Sequence, residues 1–383
     1  MLPTRQQVTD FHRVATAIFA IAIAGFAMRS TRAVTIDMVL VGDAGNVADA
    51  SGYGAVAYQY RIGKYEVTIG QYTEFLNAVA ATDPYGLYHA WHGSDQTSGG
   101  IVRAGSSGAY TYTVTGPFGA APAGADSPAN RPITLVSWFD AARFANWVAN
   151  GQPTGAAGPT TTENGAYALN GATSGLAQAA NPVNPNTGEV PLYRLPTENE
   201  WYKAAYYMGG SANAGYWNYA TQSDTAPGNA LNGGPNMANY LANGVHSVTQ
   251  SSEFSLSQNY VTNAGAFSAS PSSYGTFDQS GNVWEWNDIS GTGGSSRGRR
   301  GGDWTDTAFG LGSSISYMES TSQEVTTGGF RLAGPVAVPE PSSCAMALGG
   351  LCYGGYLAWR HRKRADSAVQ IRLSEMHRIG DRR

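Results

Sequence analysis

Apolar residues recur at helical spacing in three short segments of the chain. The first segment reads EVTIGQYTEFLNAVAA, and its apolar stripe consists of Tyr72, Phe75, Leu76 and Val79. Thr68 precedes this stripe and Gln71 stands three positions later, which is the arrangement of a capping box at the start of a helix. The segment therefore predicts a short amphipathic helix that begins after Thr68.

The same signature starts two further segments. In TLVSWFDAARFANWVAN, Ser137 and Asp140 take the cap and third positions, and in YRLPTENEWYKAAYY, Thr197 and Glu200 form a full capping box. Acidic residues in the first turn also suit the positive end of a helix dipole. The expected core-facing residues are Trp138, Ala141, Ala142, Ala145 and Val148 in the second helix and Trp201, Ala204 and Ala205 in the third.

The remaining sequence reads as short strands and long turns. Residues 151–190 form a low-complexity stretch of Gly, Ala, Thr and Asn, inside which GAYALNG is predicted to be a small strand flanked by turns. No convincing linker interrupts residues 34–334, so we expect one domain with this stretch as an excursion. Three short helices amid irregular structure favour the α+β class, with few regular elements and much coil.

The composition limits the classes of protein to which the chain can belong. Charged residues are 13% of the chain and aromatic residues 11%, which is typical of an aromatic-rich globule rather than of disorder. The formal net charge of −4 argues against nucleic acid as a partner. The two cysteines, Cys344 and Cys352, lie close to the C-terminus, so residues 34–334 contain neither a disulfide nor a thiolate.

The N-terminus has the pattern of a secretory signal. Arg13 precedes an apolar run at 14–28, and the stretch RSTRA then ends in the small residue Ala33. The run is shorter than the about 20 residues of a spanning helix. We therefore expect residues 1–33 to be a signal peptide, with an uncleaved N-terminal anchor as the alternative.

The C-terminus combines three features in order. They are the stretch VPEPSS at 338–343, an apolar segment at 344–359 and the basic cluster RHRKR at 360–364, which would hold that end on the cytoplasmic side of a membrane. This combination resembles the PEP-CTERM sorting signal of bacterial exported proteins. The resemblance implies recognition of 338–364 by an exosortase, a transmembrane segment that anchors the protein at least transiently, an envelope or extracellular location, and a basic cytoplasmic tail at 365–383.

Six motifs run in a fixed order along the middle of the chain. They are YRIGKYEVTIGQYTEFLNAV (60–79), RPITLVSWFDAARFANWV (131–148), YRLPTENEWYKAAYY (193–207), GNVWEW (281–286), RRGGDW (299–304) and GGFRLA (328–333). Together they resemble the formylglycine-generating enzyme, or sulfatase-modifying factor, family. The resemblance implies that family's variant of the C-type lectin fold for residues 34–334.

In that family, a Gly-Gly-Ser-aromatic stretch leads to two cysteines that bind copper as thiolates and activate oxygen. On this chain the serine position is Asp303, and the two cysteine positions are Asp306 and Leu311. One aspartate and a leucine cannot replace the soft thiolates that hold Cu(I). We therefore expect no copper, no catalytic residue of the family type and no formylglycine-generating activity. A retained oxidoreductase activity, in sulfatase maturation or another oxidation, is the alternative.

The resemblance also implies structural calcium. In the family, the tract that reads DQSGNVWEW here wraps a cation, and the implied ligands are Asp278, the Gly281 carbonyl, the Val283 carbonyl and Glu285. Such oxygen donors suit a hard cation. The alternative is that Glu285 pairs with an arginine such as Arg331 while the tryptophans of the tract pack in the core. A second calcium site is expected to begin at Asn239 and Tyr240.

The sequence is compatible with two other kinds of site, a metal site and a catalytic carboxylate pair. His89 and His92, with Asp95, could ligate a metal such as non-haem iron, the alternative being surface or aromatic-packed histidines. Asp303 and Asp306 could act as a catalytic carboxylate pair, the alternative being that they cap a turn or accept backbone hydrogen bonds.

The leading hypothesis is an exported, non-catalytic, calcium-stabilised domain that binds a ligand at or beyond the cell envelope. Its expected binding surface comprises Asp303, Trp304, Asp306 and Tyr317, in the region where the family has its active site. Tryptophan and tyrosine faces beside polar turn groups suit a glycan or a peptide. A purely structural role in an extracellular matrix is a further alternative.

Overall fold

The computed structural model describes residues 33–116, 127–288, 294–336, 356–360 and 362–363. The chain divides into two compact units, Met1–Pro335 and Val336–Arg383. The expected signal peptide apart from Ala33, most of the expected sorting segment and the expected cytoplasmic tail lie outside the described residues. Within the described ranges, no helix is both long and apolar enough to cross a membrane.

Three α-helices form where the capping boxes predict them. They are α1 (Ile69–Val79), α2 (Trp138–Ala149) and α3 (Glu198–Tyr206). In each helix, the side chain of the cap residue accepts a hydrogen bond from the backbone N–H of the third helical residue. The side chain of that third residue binds the N–H of the cap in return. The short 3₁₀ helices are Ala90–His92 and Pro128–Asn130.

Helices α1 and α2 build the main core. Tyr72 and Phe75 of α1 pack on Phe144 of α2, with ring centroids 6.1 and 5.4 Å apart. Phe330 packs on the same ring at 5.5 Å. Residues 138–148 are all buried, well beyond the single predicted stripe, so α2 is a central helix that other elements cover on every side.

The described residues contain eleven short strands. In chain order they are β1 (Met38–Val41), β2 (Tyr60–Gly63), β3 (Ile101–Ala104), β4 (Thr111–Val114), β5 (Leu241–Ala242), β6 (Val245–His246), β7 (Trp284–Asn287), β8 (Ser296–Arg300), β9 (Tyr317–Ser320), β10 (Gly328–Phe330) and β11 (Ala333–Pro335). They form a three-stranded sheet in the order β1-β2-β11, a four-stranded sheet in the order β10-β7-β8-β9, and two hairpin pairs. A few short helices and several small sheets make the fold α+β, as predicted.

Side-chain hydrogen bonds, rather than a strand, organise the low-complexity stretch. Residues 165–171 form bends and turns, so the strand predicted there is wrong. Asn146 of α2 accepts from the N–H of Tyr167 at 2.7 Å and donates to the carbonyls of Thr162 and Tyr167. Because one asparagine satisfies these backbone groups, the segment needs no partner strand.

The four-stranded sheet brings three of the sequence motifs together. Strand β7 carries the Trp-Glu-Trp motif and pairs antiparallel with β8, which leads directly into Gly301 and Gly302. On its other side β7 pairs in parallel with β10, which ends just before Arg331. Motifs that are distant in sequence therefore meet at one place in the fold.

Candidate functional site

Two glycines let the loop after β8 lie against the tract before β7. Gly281 and Gly301 have φ values of 90° and 103°, a region that favours glycine. The Gly281 N–H donates to the Gly301 carbonyl at 2.7 Å. A Cβ on Gly281 would lie 2.2 Å from the carbonyl oxygen of Asn239. The motif glycines thus permit a backbone approach that a side chain would block.

Asp303 and Asp306 close the turn that follows these glycines. The Asp303 N–H donates to Asp306 Oδ2 at 3.0 Å. Asp303 Oδ1 accepts from the N–H and from the hydroxyl of Thr305, each at 2.6 Å. Asp303 is buried and Asp306 is half-buried. These hydrogen bonds are the ones that the turn-capping alternative predicts.

The two carboxyls of this turn hold protons more tightly than ordinary aspartates. Burial, and after it the charge of Asp303, raises the pKa of Asp306 to about 6, and the nearby Trp284 side chain offsets part of this rise. Burial also raises the pKa of Asp303. Raised carboxyl pKa values occur in proton-transfer sites and in structural turns alike, so a catalytic role for the pair stays a prediction.

Leu311, at the second cysteine position of the family, is a packing residue. It is fully buried and belongs to a cluster with Ala238 and Tyr240. A Cβ on Gly302 would lie 2.8 Å from Leu311 Cδ1, so the glycine and the leucine fit together closely. An aliphatic side chain offers no donor atom to a metal, so this position cannot supply the second copper ligand of the family.

Trp304 forms the floor of the expected binding surface. It is only 4% exposed, and its ring stacks on Tyr260 with centroids 4.9 Å and planes 9° apart. His246 contacts the Trp304 ring at 6.0 Å, and Phe254, which is 53% exposed, stacks on Tyr260 at 5.4 Å. The buried Trp304 and Asp303 therefore support a surface instead of forming its exposed face.

The exposed part of this region is largely apolar. Phe309 is 72% exposed and Tyr317 is 53% exposed. Met318 is 60% exposed, but it follows Tyr317 in β9 and therefore lies on the opposite face of the sheet. The ring of Tyr317 meets the ring of Trp284 edge-on, with centroids 4.9 Å apart. We call the residues Asp306, Phe309 and Tyr317 the loop surface. Of the four predicted surface residues, Asp306 and Tyr317 belong to it.

Glu285 is bound to an arginine, as the alternative to calcium predicts. Arg331 Nε donates to Glu285 Oε2 and Arg331 Nη2 donates to Glu285 Oε1, each at 2.6 Å. Trp201 Nε1 adds a hydrogen bond to Oε2 at 2.9 Å. Both side chains of the ion pair are fully buried. A cation on Glu285 would have to compete with a guanidinium for both carboxylate oxygens.

The predicted calcium ligands therefore fit a cation poorly as they are arranged. Asp278 accepts from the Gly265 N–H at 2.5 Å through Oδ2. Among the described residues, no group of three or more His, Cys, Asp or Glu side chains is placed to hold a metal ion. The predicted ligands are Asp278, Gly281, Val283 and Glu285. Calcium could bind them only if Glu285 left Arg331, so calcium at this tract stays a prediction.

Asn239 and Tyr240, predicted to begin a second calcium site, brace the same tract. The Asn239 carbonyl accepts from the Asn282 N–H at 2.8 Å, and Asn239 Nδ2 donates to Asn282 Oδ1 at 2.9 Å. The Tyr240 hydroxyl donates to the carbonyl of Pro227. Both residues form hydrogen bonds that hold neighbouring segments together, and the second calcium site also stays a prediction.

The histidine pair and Asp95 are engaged in local hydrogen bonds. His92 is buried; its Nδ1 accepts from the His89 N–H, and its Nε2 contacts the Thr134 carbonyl at 2.8 Å. Burial lowers the pKa of His92 to about 4. The Asp95 carboxylate accepts from Thr97 and Ser98. The aromatic-packed alternative thus describes His92, whose ring also contacts Tyr72 and Tyr88.

Glu66 belongs to this region although the sequence did not single it out. It is 2% exposed, and its Oε1 accepts from Asn282 Nδ2 at 3.0 Å across 216 positions of sequence. Glu66 lies just before α1 in a stretch that reads as a helix start, and no local pattern signals a contact over such a separation. Only the fold places this carboxyl beside Asp278 and Glu285.

These features define a class of protein. Short capped helices pack on small sheets, and a buried Glu285–Arg331 pair joins the Trp-Glu-Trp strand to the Gly-Gly-Phe-Arg motif. This is a domain of the formylglycine-generating-enzyme type. The chain belongs to the sulfatase-modifying factor enzyme 1-like domain family, whose model matches residues 29–335. Residues 337–363 match the PEP-CTERM protein-sorting motif, which is recognised by exosortase machinery and indicates export with association to the cell envelope.

Several solved structures are similar to the chain. Treponema denticola variable protein 1 is 19% identical, with 80% of this chain and 98% of that chain covered and a TM-score of 0.44. CarF is 25% identical, with 79% and 99% covered and a TM-score of 0.42. PvdO from Pseudomonas aeruginosa is 16% identical, with 80% and 99% covered and a TM-score of 0.39. No curated protein matches the chain. Family membership therefore rests on the domain match.

Proposed function

We propose that the protein is an exported, non-catalytic binding domain that holds a ligand on the loop surface, at or beyond the cell envelope. One observation carries the proposal. The loop at the family's active-site position has an aspartate and a buried leucine in place of the two thiolates, and it exposes aromatic and apolar side chains beside a carboxyl. A loop that keeps the family's fold but lacks its metal ligands favours ligand binding over oxidation as the function.

The loop surface is continuous around Asp306. A Cβ on Gly310 would lie 2.7 Å from Asp306 Cγ, so the neighbour of Phe309 packs directly on this carboxyl. On the other side, the Trp284 side chain lies near the Asp306 carboxyl, and its ring meets the ring of Tyr317 edge-on. Exposed aromatic groups therefore lie on both sides of one half-buried acceptor group.

This combination suits a glycan. Aromatic rings pack on the apolar faces of sugar rings, while a carboxyl accepts hydrogen bonds from their hydroxyl groups. The two exposed rings supply the apolar part, and Asp306 supplies the acceptor. A peptide ligand would use the same apolar side chains, and for that reason it is tested beside the glycan.

The proposal is tested with fluorescently labelled full-length protein on arrays of bacterial surface glycans and of peptides. We expect glycan binding by the wild type and a loss of at least about tenfold in a Phe309→Ala/Tyr317→Ala variant whose melting temperature is unchanged, since exposed side chains contribute little to stability. Leu40→Ala, at a position that is 53% exposed in β1, is the matched control and should bind normally. Absence of glycan binding by the wild type would refute the glycan assignment.

A further inference from the structure

One side chain binds both polar backbone groups of Val34. Gln152 Oε1 accepts from the Val34 N–H at 2.6 Å, and Gln152 Nε2 donates to the Val34 carbonyl at 2.7 Å. The two residues are 118 positions apart in sequence. A single side-chain amide therefore supplies the hydrogen bonds that a neighbouring strand would otherwise give to this residue.

Gln152 has a backbone conformation that favours glycine. It follows Gly151 after the end of α2, and its φ of 60° lies in the left-handed region. The Gln152 N–H donates to the Trp147 carbonyl at 2.9 Å and so closes the end of the helix. Strained residues persist where surrounding contacts fix them, and the two hydrogen bonds with Val34 are contacts of that kind.

Residues 34–37 lie along the main core. Val34 and Ile36 are half-buried and pack against the core, while the intervening Thr35 is exposed. The Thr35 carbonyl accepts from Gln71 Nε2 at 2.8 Å, so a side chain of α1 also holds this segment. Two side-chain amides, one at the start of α1 and one beyond the end of α2, thus bind consecutive residues of the segment.

These contacts begin where the export signal is expected to end. Ala33 is exposed, and it is the small residue that is expected to precede the cleavage point. Hydrolysis of the Ala33–Val34 peptide bond adds a hydroxyl to the Ala33 carbonyl carbon and a hydrogen to the Val34 nitrogen. The new amino group takes up a further proton at neutral pH and becomes an ammonium. The atom closest to it in this structure would be Gln152 Oε1, which already accepts from the same nitrogen.

We propose that Gln152 binds the amino terminus that this cleavage creates, so that the mature protein begins at Val34 with its ammonium group on Gln152 Oε1. The proposal rests on the expected signal peptide and is independent of the loop surface. An uncharged amide oxygen accepts a charge-assisted hydrogen bond from the ammonium without bringing a second charge out of water. Binding of the amino terminus at this place would hold residues 34–37 on the core.

The first measurement identifies the amino terminus. The protein is isolated after export from a bacterial host, and mass spectrometry determines the mass of the intact chain and of its first peptide. We expect the chain to begin at Val34. Gly25 and Ala27 form another pair of small residues, which precedes Met28. A chain that begins at Met28, or one that keeps residues 1–33, would overturn the proposal.

The second measurement tests the contact through Gln152→Glu. An ammonium beside the new carboxylate has a pKa above the about 7.7–8.0 of a free amino terminus, so its stabilisation is complete below about pH 7 and is lost at higher pH. The melting temperature of the mature variant, relative to the mature wild type, should fall by about 1–3 °C between pH 6 and pH 10. Asp37, the titratable side chain of residues 34–37, is present in both proteins and its contribution cancels.

Two controls isolate the ammonium group. A chain expressed from Met28 keeps an amide at Val34, so the same comparison of glutamate and glutamine at position 152 should give a constant difference from pH 6 to pH 10. Gln222→Glu changes another left-handed glutamine, with a φ of 57° and an exposed hydrogen bond to the Pro271 carbonyl. In the mature protein this variant should also differ from the wild type by a constant amount.

Each result decides for or against the contact. A constant difference between mature Gln152→Glu and the mature wild type would overturn the proposal even if the chain begins at Val34. Where Gln152→Glu does not fold, the wild type decides. Acylation of the Val34 amine at pH 7 should be at least about fivefold slower in the folded protein than in urea, and equal rates would overturn the proposal.

Discussion

Arg331 and Glu285 form a fully buried ion pair through two hydrogen bonds of 2.6 Å. Glu285 lies in β7 and Arg331 follows β10, and these strands are parallel neighbours. Arg331 also donates to the carbonyls of Gly63 and Phe277, at 2.9 and 2.8 Å. One guanidinium therefore ties β2, β7 and the tract before β7 to the end of β10.

Removing one partner of this pair should strongly destabilise the protein. Glu285→Gln is expected to lower the free energy of unfolding by about 3–5 kcal/mol, because it leaves a buried guanidinium without its counter-charge. Glu319→Gln is the comparison variant: it also leaves a buried guanidinium, that of Arg299, but Glu319 is about one-third exposed and water can take its place, so the loss should be smaller, about 1–2 kcal/mol. Urea unfolding of the three proteins gives the comparison. Equal losses in both variants would contradict a special role for the buried pair.

The contact between Gly281 and Asn239 predicts a second effect. Gly281→Ala should lower stability by about 2–4 kcal/mol, since it combines a positive φ with a Cβ only 2.2 Å from a carbonyl oxygen. Gly234 has the same φ of 90° and open space around its Cβ position, so Gly234→Ala should cost only about 1–2 kcal/mol. The difference between the two variants in thermal unfolding isolates the steric term. No difference would mean that the backbone contact relaxes.

Local signals predicted the helices well and the long-range contacts poorly. Each capping box lies within four residues of sequence, and all three helices begin after the predicted caps Thr68, Ser137 and Thr197. The strand predicted at 165–171 is wrong because Asn146, in another element, satisfies the backbone there. The same limit applies to the site. A motif indicated Glu285 and its arginine partner, whereas the approach of Glu66 to Asn282 depends on the complete fold.

The burial of the site residues could likewise be predicted only in part from the sequence. The sequence indicated that Asp303, Trp304, Asp306 and Tyr317 belong to one region. It did not indicate which of these side chains are buried and which are exposed. Trp304 is buried because Tyr260 and His246, more than forty positions earlier in the chain, pack on its ring. Phe309 is 72% exposed, and only the structure identifies it as part of the loop surface.

The loss of both thiolates predicts the absence of formylglycine formation. A sulfatase peptide with the target cysteine, incubated with the purified protein, copper and oxygen, should yield no aldehyde by mass spectrometry. A formylglycine-generating enzyme treated in the same way is the positive control. The protein should also fail to bind Cu(I), because Asp306 is a hard ligand and Leu311 is no ligand at all. Aldehyde formation would overturn the non-catalytic proposal.

A carboxyl pair at the start of α2 predicts pH-dependent stability. Glu324 forms a hydrogen bond with Asp140, and its Oε2 lies 3.6 Å from His89 Nε2. Burial, and after it the charge of Asp140, raises the pKa of Glu324 to about 8, with a smaller contribution from Asp83. Burial lowers the pKa of His89, so this ring offers Glu324 less compensating positive charge than an ordinary histidine would.

The direction of the effect follows from linkage. The pKa of Glu324 is higher in the folded protein than the about 4.3 of an unfolded glutamate, so the folded state binds this proton more tightly. The resulting stabilisation is fully present below about pH 4 and is lost as the pH rises towards 8. Glu324→Gln keeps a hydrogen-bond donor to Asp140 and cannot ionise. The variant should therefore gain stability relative to the wild type between pH 5 and pH 9.

Urea unfolding across this pH range measures that difference. Other carboxyls titrate in both proteins, so their contributions cancel and the changing gap between the two curves belongs to Glu324. Glu253→Gln, at an exposed position, is the control and should follow the wild type at every pH. Parallel curves for Glu324→Gln and the wild type would show that the Glu324 carboxyl ionises at its ordinary pKa, which would require the segment around it to open to solvent.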